Sequence, residues 1–262
     1  MAGPKKSLGQ HWLHDRDVLA DIAERAKLQA TDTVLEIGPG LGTLTSELLR
    51  RAGHVVAVEF DPALAHKLPG QFPGKNLQVV NQDILTFDLS MLPAGYKVVA
   101  NVPYYITSKI IQLLLTATHK PAITVLLVQK EVARRLAAQP GDLSILAISA
   151  QVFADVSLGP VVPAALFTPP PQVDSQVVVL HTRPQSLLQN IDEKIFFRIV
   201  KAGFSAKRKK LRSSLASGLR LQKSQVEKLL ADTGIDPNTR AEDVTIGQWR
   251  QLTDHTGSSH LL

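Results

Sequence analysis

Thr33-Val34-Leu35-Glu36-Ile37-Gly38-Pro39-Gly40-Leu41-Gly42 is a mostly apolar run that gives way to three glycines spaced two apart. It reads as a strand that leaves its sheet and turns at once into a helix. Gly38, Gly40 and Gly42 supply the backbone freedom and the missing Cβ that a tight turn pressed against a ligand needs. In open α/β sheets such turns stand at the carboxyl ends of the strands, where ligands bind. Ahead of the glycines, Val18, Leu19, Ile22, Ala23 and Ala26 line one face of a helix. Beyond them, strand-like runs at 54–59, 77–81, 96–101 and 122–128 alternate with helical stretches. That alternation predicts an α/β fold built on a doubly wound, mostly parallel sheet. A helical segment, Leu143 to Phe153, then precedes two more strand candidates, Val156 to Val162 and Ser175 to His181, which flank a proline-rich loop and are placed to close the sheet in antiparallel fashion. From about Gln185 the pattern is helical and basic to the end. The expected division is a catalytic domain over 1–184 and a small helical domain over 185–262.

A chain of 262 residues with 44% apolar content holds one α/β domain and an appendage. The net charge of +6 is modest, but its distribution is uneven. Ten basic residues and no acidic one fall between Lys194 and Lys223, while the rest of the chain carries 19 basic against 23 acidic residues. Lys207, Arg208, Lys209, Lys210 and Arg212 form the densest part. A solvated helix face normally mixes both signs, so this concentration points to a phosphate backbone as partner, an RNA-binding surface. With no cysteine in the chain, a cysteine nucleophile and thiolate zinc sites are excluded. Pyrimidine C5-methylation through a thiol adduct is thereby disfavoured. His11 and His14 lack a third ligand placed by sequence, and no metal is expected. Lys5 and Lys6 are not followed by the apolar core of a signal peptide, and no stretch approaches the roughly 18 apolar residues of a membrane span. A soluble, cytoplasmic protein without a membrane partner is expected.

The ligand follows from the pattern of the turn. A dinucleotide fingerprint, G-x-G-x-x-G, wants its third glycine at position 43, which is Thr43. The run acid-x-G-x-G-x-G suits a nucleotide-like cofactor without a pyrophosphate, because Glu36 would repel phosphates. S-adenosylmethionine (SAM) fits that description. Glu59 ends the strand His54 to Val58, where its carboxylate would accept hydrogen bonds from vicinal ribose hydroxyls. Asp61-Pro62 reads as a helix cap with proline at the first helical position. Asp83 is placed to take the amino group of the cofactor adenine, with Ile84 against the ring. The most specific signal is Asn101-Val102-Pro103-Tyr104, after the apolar run Val98-Val99-Ala100. The exocyclic nitrogen of adenine is a poor nucleophile because its lone pair is delocalised into the ring. An Asn oxygen and a backbone carbonyl held inward by Pro103 would accept its hydrogens and favour a more tetrahedral nitrogen, while Tyr104 offers a face for the base.

These motifs resemble those of ribosomal RNA adenine-N6,N6-dimethyltransferases of the KsgA type. The likeness covers nearly the whole chain. It takes in Lys6 to Leu13, the glycine turn, Glu59, Gln82-Asp83-Ile84, Asn101 to Tyr104, Gln129 to Leu136, Phe167 to Ser175, Phe204 to Leu215 and Arg240-Ala241-Glu242. It implies a class I SAM-dependent methyltransferase fold, dimethylation of two adjacent adenosines near the 3′ end of small-subunit rRNA, and a monomer acting on that rRNA or on a 30S assembly intermediate. It assigns His11, Leu13, Gly38, Glu59, Asp83 and Asn101 to SAM, and Asn101, Pro103 and Tyr104 to catalysis. The chain departs from the family in having Gln10-His11-Trp12 for Gln-Asn-Phe, and Pro140-Gly141-Asp142 where Tyr-Gly is usual. Two other readings share features of the pattern. One is an adenine N6-methyltransferase of the erythromycin-resistance type acting on large-subunit rRNA. The other is a non-catalytic RNA-binding assembly or transcription factor, as among the mitochondrial transcription factor B relatives.

Overall fold

Burial sorts the strand runs before any pairing is considered: four of the five residues in Thr33–Ile37 and five of the six in His54–Glu59 are buried. Strands enclosed on both faces belong in the middle of a parallel sheet. The computed structural model describes residues 10–206 and 208–258. In chain order its elements are β1 (Trp12–Leu13), α1 (Arg16–Arg25), β2 (Thr33–Ile37), α2 (Thr43–Leu48), β3 (His54–Glu59), α3 (Pro62–Gln71), β4 (Leu77–Asn81), β5 (Lys97–Asn101), α4 (Thr107–Thr116), β6 (Ile123–Gln129), α5 (Lys130–Leu136), α6 (Ile145–Gln151), β7 (Ala154–Val162), β8 (Phe167–Thr168), β9 (Ser175–Thr182), α7 (Glu193–Gly203), α8 (Leu211–Leu219), α9 (Lys223–Asp232) and α10 (Ile246–Ser258).

Seven strands form one sheet in the order β4-β3-β2-β5-β6-β9-β7. The first five are parallel, and β9 pairs antiparallel with both β6 and β7. The chain winds outward from β2 through β3 to β4, then returns to lay β5 on the other side of β2. This reversal sets the carboxyl ends of β2 and β5 side by side, the usual place for a ligand crevice. One face of the sheet, with Val34, Val55, Val99, Val125 and Val177, packs on Leu19, Ile22 and Ala23 of α1 and on Leu44 and Leu48 of α2. Asp15 caps α1 through Val18 N–H, and Asp61 caps α3 through Ala63 N–H, as its sequence position suggests. A second, two-stranded sheet pairs β1 with β8, Trp12 opposite Thr168 and Leu13 opposite Phe167. Strands this short carry no periodicity to read.

Two compact units emerge. The first runs to Arg134 and resumes at Ala154–Arg183; the second is Arg135–Phe153 together with Pro184 onward. A single break near 185 is therefore revised, since the segment around α6 belongs with the C-terminal helices. Backbone satisfaction explains why. Gly141 and Leu143 donate their N–H groups to Glu242 O, and Leu187 N–H reaches Val152 O. Gln151 Nε2 donates to Leu136 O and Ala138 O within the segment. The loop at Pro140-Gly141-Asp142, where the chain leaves its family pattern, is held by that Glu242 carbonyl, with Gly141 at φ +109°.

Within the second unit α7 buries Phe196, Ile199 and Val200, and Trp249 of α10 is fully buried. Helix α8 approaches α7 through Gly218: a Cβ there would lie 2.6 Å from Ala202 Cβ and 2.7 Å from its Cα. Two effects oppose in Gly218→Ala. Alanine gains up to about 1 kcal/mol of helix propensity, but overpacking against a backbone costs about 1–3 kcal/mol. The collision with Ala202 wins, and urea unfolding should show Gly218→Ala less stable than the parent; a more stable variant would mean that the two helices part freely.

Candidate active site

The turn after β2 takes the form its glycines require, with φ of +67° at Gly38, +57° at Gly40 and +81° at Gly42. Two N–H groups pin it, Gly38 to Val58 O and Gly42 to Pro39 O, both at 2.9 Å. A Cβ built on Gly38 would meet nothing within 4 Å, so bare backbone opens on free space. At Gly40 the same atom would come 3.3 Å from Trp12 Nε1, because the indole leans on the turn. That indole N–H is buried and has no hydrogen-bond partner among the described residues.

One cleft of roughly 1180 Å³, its open mouth included, is lined by His11, Leu13, Gly38, Glu59, Asp83, Asn101, Pro103 and Tyr104. The residues of the first unit that the resemblance assigns to SAM and to catalysis thus line one cleft. Leu13 is shared with the core, at 1% exposure beside Leu19 and Phe167. Asp83 caps a short turn by accepting Leu85 N–H at 2.9 Å through one oxygen, and it borders the cleft as well.

Glu59 is already engaged: Oε2 accepts Gly40 N–H at 3.0 Å and Oε1 accepts Asp61 N–H at 2.8 Å. A carboxylate has about four acceptor sites, so each oxygen keeps a lone pair for a ribose hydroxyl. The acid therefore ties the glycine turn to the end of β3 as well as facing the cleft. Burial raises its pKa, the N–H groups of Asp61 and Gly40 oppose that rise, and the charge of Asp61 adds to it.

Glu36 departs from its sequence reading. It is 1% exposed, and burial pushes its carboxyl up to about 8, with Thr45 offsetting part of the shift and the charge of Glu59 adding to it. At neutral pH it is mostly protonated, and so repels no phosphate. Its Oε2 has no hydrogen-bond partner among the described residues.

Asn101 closes β5, and its Nδ2 donates to His11 O at 3.1 Å. That bond fixes the amide orientation and leaves Oδ1 without a donor among the described residues. The Pro103 carbonyl receives Ile106 N–H and the Thr107 hydroxyl, each at 3.3 Å, where the chain turns into α4. His11 is positioned by its neighbours: Nδ1–H donates to Pro169 O at 2.7 Å, and the ring stacks on Tyr104 at 5.8 Å between centroids and 21° between planes. Burial raises the Tyr104 pKa, and a 2.6 Å hydrogen bond with Ser175 Oγ opposes the rise, so the phenol is protonated at neutral pH. Sequence reasoning passed over Ser175, Phe60 and Tyr105. The last two are 57% and 61% exposed at the cleft, and each directly follows a residue already singled out.

In the second unit, Arg208, Lys209 and Lys210 are exposed, and Lys207 lies outside the described residues. Two of the expected RNA contacts have protein partners: Lys210 Nζ donates to Asn238 Oδ1 at 2.8 Å, and Arg212 pairs with Glu227 at 2.9 Å. Among the described residues no group of three or more His, Asp or Glu side chains is gathered as a metal would require, and no helix is long and apolar enough to cross a membrane.

With bare backbone at Gly38, open acceptor positions on Glu59 and an oriented amide at Asn101 around one crevice, the residues present fit an adenosyl cofactor. The molecule is a class I SAM-dependent methyltransferase. Residues 2–256 match the family model described as ribosomal RNA adenine dimethylase, and the chain belongs to that family. Ribosomal RNA small subunit methyltransferase A of Dehalococcoides mccartyi is 43% identical over 252 residues, 95% of this chain and 87% of the relative. Its counterpart in Moorella thermoacetica is 40% identical over 264 residues, 95% and 91% of the two chains. A dimethyladenosine transferase from Plasmodium falciparum has a TM-score of 0.84 at 26% identity, covering 95% of this chain and 98% of that one. The 23S rRNA methyltransferase ErmE has a TM-score of 0.74 at 32% identity, covering 93% and 98%.

The buried Glu36 carboxyl has a measurable signature. Its folded pKa lies above the unfolded value of 4.5. The folded state therefore holds the proton more tightly, and stability falls as pH rises from about 4.5 to about 8. Glu36→Gln removes this term. The stability of the variant relative to the parent should rise by on the order of 1 kcal/mol per pH unit across that window and level off above it. Urea unfolding at pH 5, 6, 7 and 8 measures the gap; a pH-independent gap would show that Glu36 is ionised in the fold.

Proposed function

We propose that this chain transfers methyl groups from SAM to N6 of two adjacent adenosines near the 3′ end of small-subunit ribosomal RNA, acting in the cytoplasm as a monomer on the rRNA or a 30S assembly intermediate. The observation that carries this reading is the Asn101 amide, whose Nδ2 is tied to His11 O while Oδ1 is left as an acceptor at the cleft. With the Pro103 carbonyl taken by Ile106 and Thr107, the second acceptor is assigned to Val102 O. Two acceptors on the N6 hydrogens draw the lone pair out of conjugation with the ring. SAM, when bound, supplies the electrophilic methyl. His11 covers one face of Tyr104, and the base takes the other. The positively charged product nitrogen loses its proton readily, so orientation and electrostatics carry the rate.

The small-subunit relatives, at 40–43% identity, favour this substrate over the large-subunit one of ErmE, at 32%. The complete Asn101-Val102-Pro103-Tyr104 set and its oriented amide favour catalysis over a binding-only role.

After long incubation of undermethylated small subunits with SAM and the protein, a nucleoside digest should contain N6,N6-dimethyladenosine, with the monomethyl form minor and transient. A site with one remaining acceptor still holds the single hydrogen left after the first transfer. Asn101→Ala should lose about 100-fold or more in turnover and still bind the particle. Persistent monomethyladenosine, or near-normal turnover of Asn101→Ala, contradicts the mechanism; methylation of large-subunit RNA alone contradicts the substrate.

The basic segment is tested separately. Arg208→Gln with Lys209→Gln should weaken RNA binding and flatten its log–log salt dependence by about 0.7–0.9 for each phosphate no longer neutralised, at constant SAM affinity. An unaltered slope would place RNA docking on another surface.

A further inference from the structure

Tyr104 stands in a short turn after Pro103 that no side chain caps. Its hydroxyl meets a residue from another strand along the same carboxyl edge of the sheet, next to the end of β6. Ser175, the first residue of β9, is 0% exposed and paired on both sides, with Gln129 of β6 and Val162 of β7. A strand start held between two neighbours is about as rigid a mount as a fold provides. Its Oγ shares the 2.6 Å hydrogen bond with the Tyr104 hydroxyl. Asp174 fastens the approach to this mount: its Oδ1 accepts Ala164 N–H at 3.1 Å, and its carbonyl accepts Lys130 N–H at 3.0 Å.

The other end of the same loop reaches the site by a second route. Pro169 O receives His11 Nδ1–H, His11 O receives Asn101 Nδ2–H, and the His11 ring lies on Tyr104. The β1–β8 pairing holds the two segments together next to that contact. The contacts thus form a closed ring, from Pro169 through His11 to Asn101 and Tyr104, and back through Ser175.

We propose that Ser175 is a positioning residue that fixes the Tyr104 ring as a base platform, with the segment from Pro169 to Ser175 bracing Asn101 and Tyr104 together. Ser175 is not among the cleft-lining residues, so it acts through Tyr104 and touches neither substrate nor cofactor. The proposal rests on the methyltransferase reading above.

The test is a double-mutant cycle of Ser175→Ala and Tyr104→Phe, with methyl transfer to undermethylated small subunits as the readout and SAM affinity by calorimetry as the check on folding. Each single variant should lose about tenfold in kcat, the scale of one hydrogen bond, with SAM affinity within about twofold. The double variant should be no slower than either single one. A Ser175→Ala kcat within about twofold of the parent, or losses that multiply in the double variant, overturns the proposal. A second readout needs no turnover. The chain has three tyrosines, Tyr96, Tyr104 and Tyr105, so protein labelled with 3-fluorotyrosine should give three fluorine resonances, of which Tyr104→Phe identifies one. Ser175→Ala should move that line further than the other two; an unmoved line overturns the proposal. If the parent protein methylates no adenosine, the functional reading falls, and the fluorine spectrum still decides whether Ser175 holds Tyr104.

Discussion

The parallel pairing of β2 with β5, Val34 to Lys97, Leu35 to Val98 and Glu36 to Val99, is the constraint on which the site depends. It joins strands more than sixty positions apart in sequence, and it exists because the chain reverses its winding after β4. Without that pairing the glycine turn and Asn101 would end on unrelated parts of the sheet. With it, the glycine turn and the Asn101 amide stand at adjacent strand ends. No flexible segment has to bring them together. The apolar layer of Val34, Val55, Val99 and Val125 against α1 and α2 stabilises the pairing, so the geometry of the chemistry is set by the core.

The same strand ends carry an electrostatic cost. Two carboxyls, Glu36 and Glu59, lie near each other under the glycine turn, and each raises the energy of ionising the other. The fold resolves this by unequal treatment. Glu59 receives N–H groups from Gly40 and Asp61 that favour its charged form, while Glu36 is sealed away and keeps its proton. The two carboxyls therefore differ, Glu59 tied to the glycine turn by N–H donors and Glu36 enclosed.

The strands of the parallel sheet were legible because each is an apolar run bounded by turn residues, and the glycine turn because only glycine readily adopts φ values near +60° to +80°. Gly38, Glu59, Asp83 and Asn101 to Tyr104 were legible because they stand at or just past strand ends, whereas His11 and Leu13 were reached only through the family resemblance. What escaped notice depends on distance in sequence or on burial. Strands β1 and β8 are two residues each, below any period. The partnership of α6 with the C-terminal helices escaped because an apolar helix face does not name its partner. The protonation of Glu36 follows from enclosure, which a single position in a string does not reveal. Arg212, expected at a phosphate backbone, pairs with Glu227 fifteen residues on, a partner that the basic run itself does not show. Ser175 looked like the end of a family motif; its hydrogen bond to Tyr104 spans 71 residues.

The segment Arg135–Phe153 interrupts the first unit between β6 and β7, yet it belongs to the second. The chain therefore passes between the units three times, after Arg134, Phe153 and Arg183. During synthesis β7 and β9 emerge after this segment, while its backbone partners at Leu187 and Glu242 emerge later still. The growing chain must carry an apolar stretch containing Leu143, Ala147, Ile148 and Val152 past the completion of its main sheet with those partners not yet made. A protein truncated before the C-terminal helices would keep that stretch uncovered, as a target for chaperones and proteases.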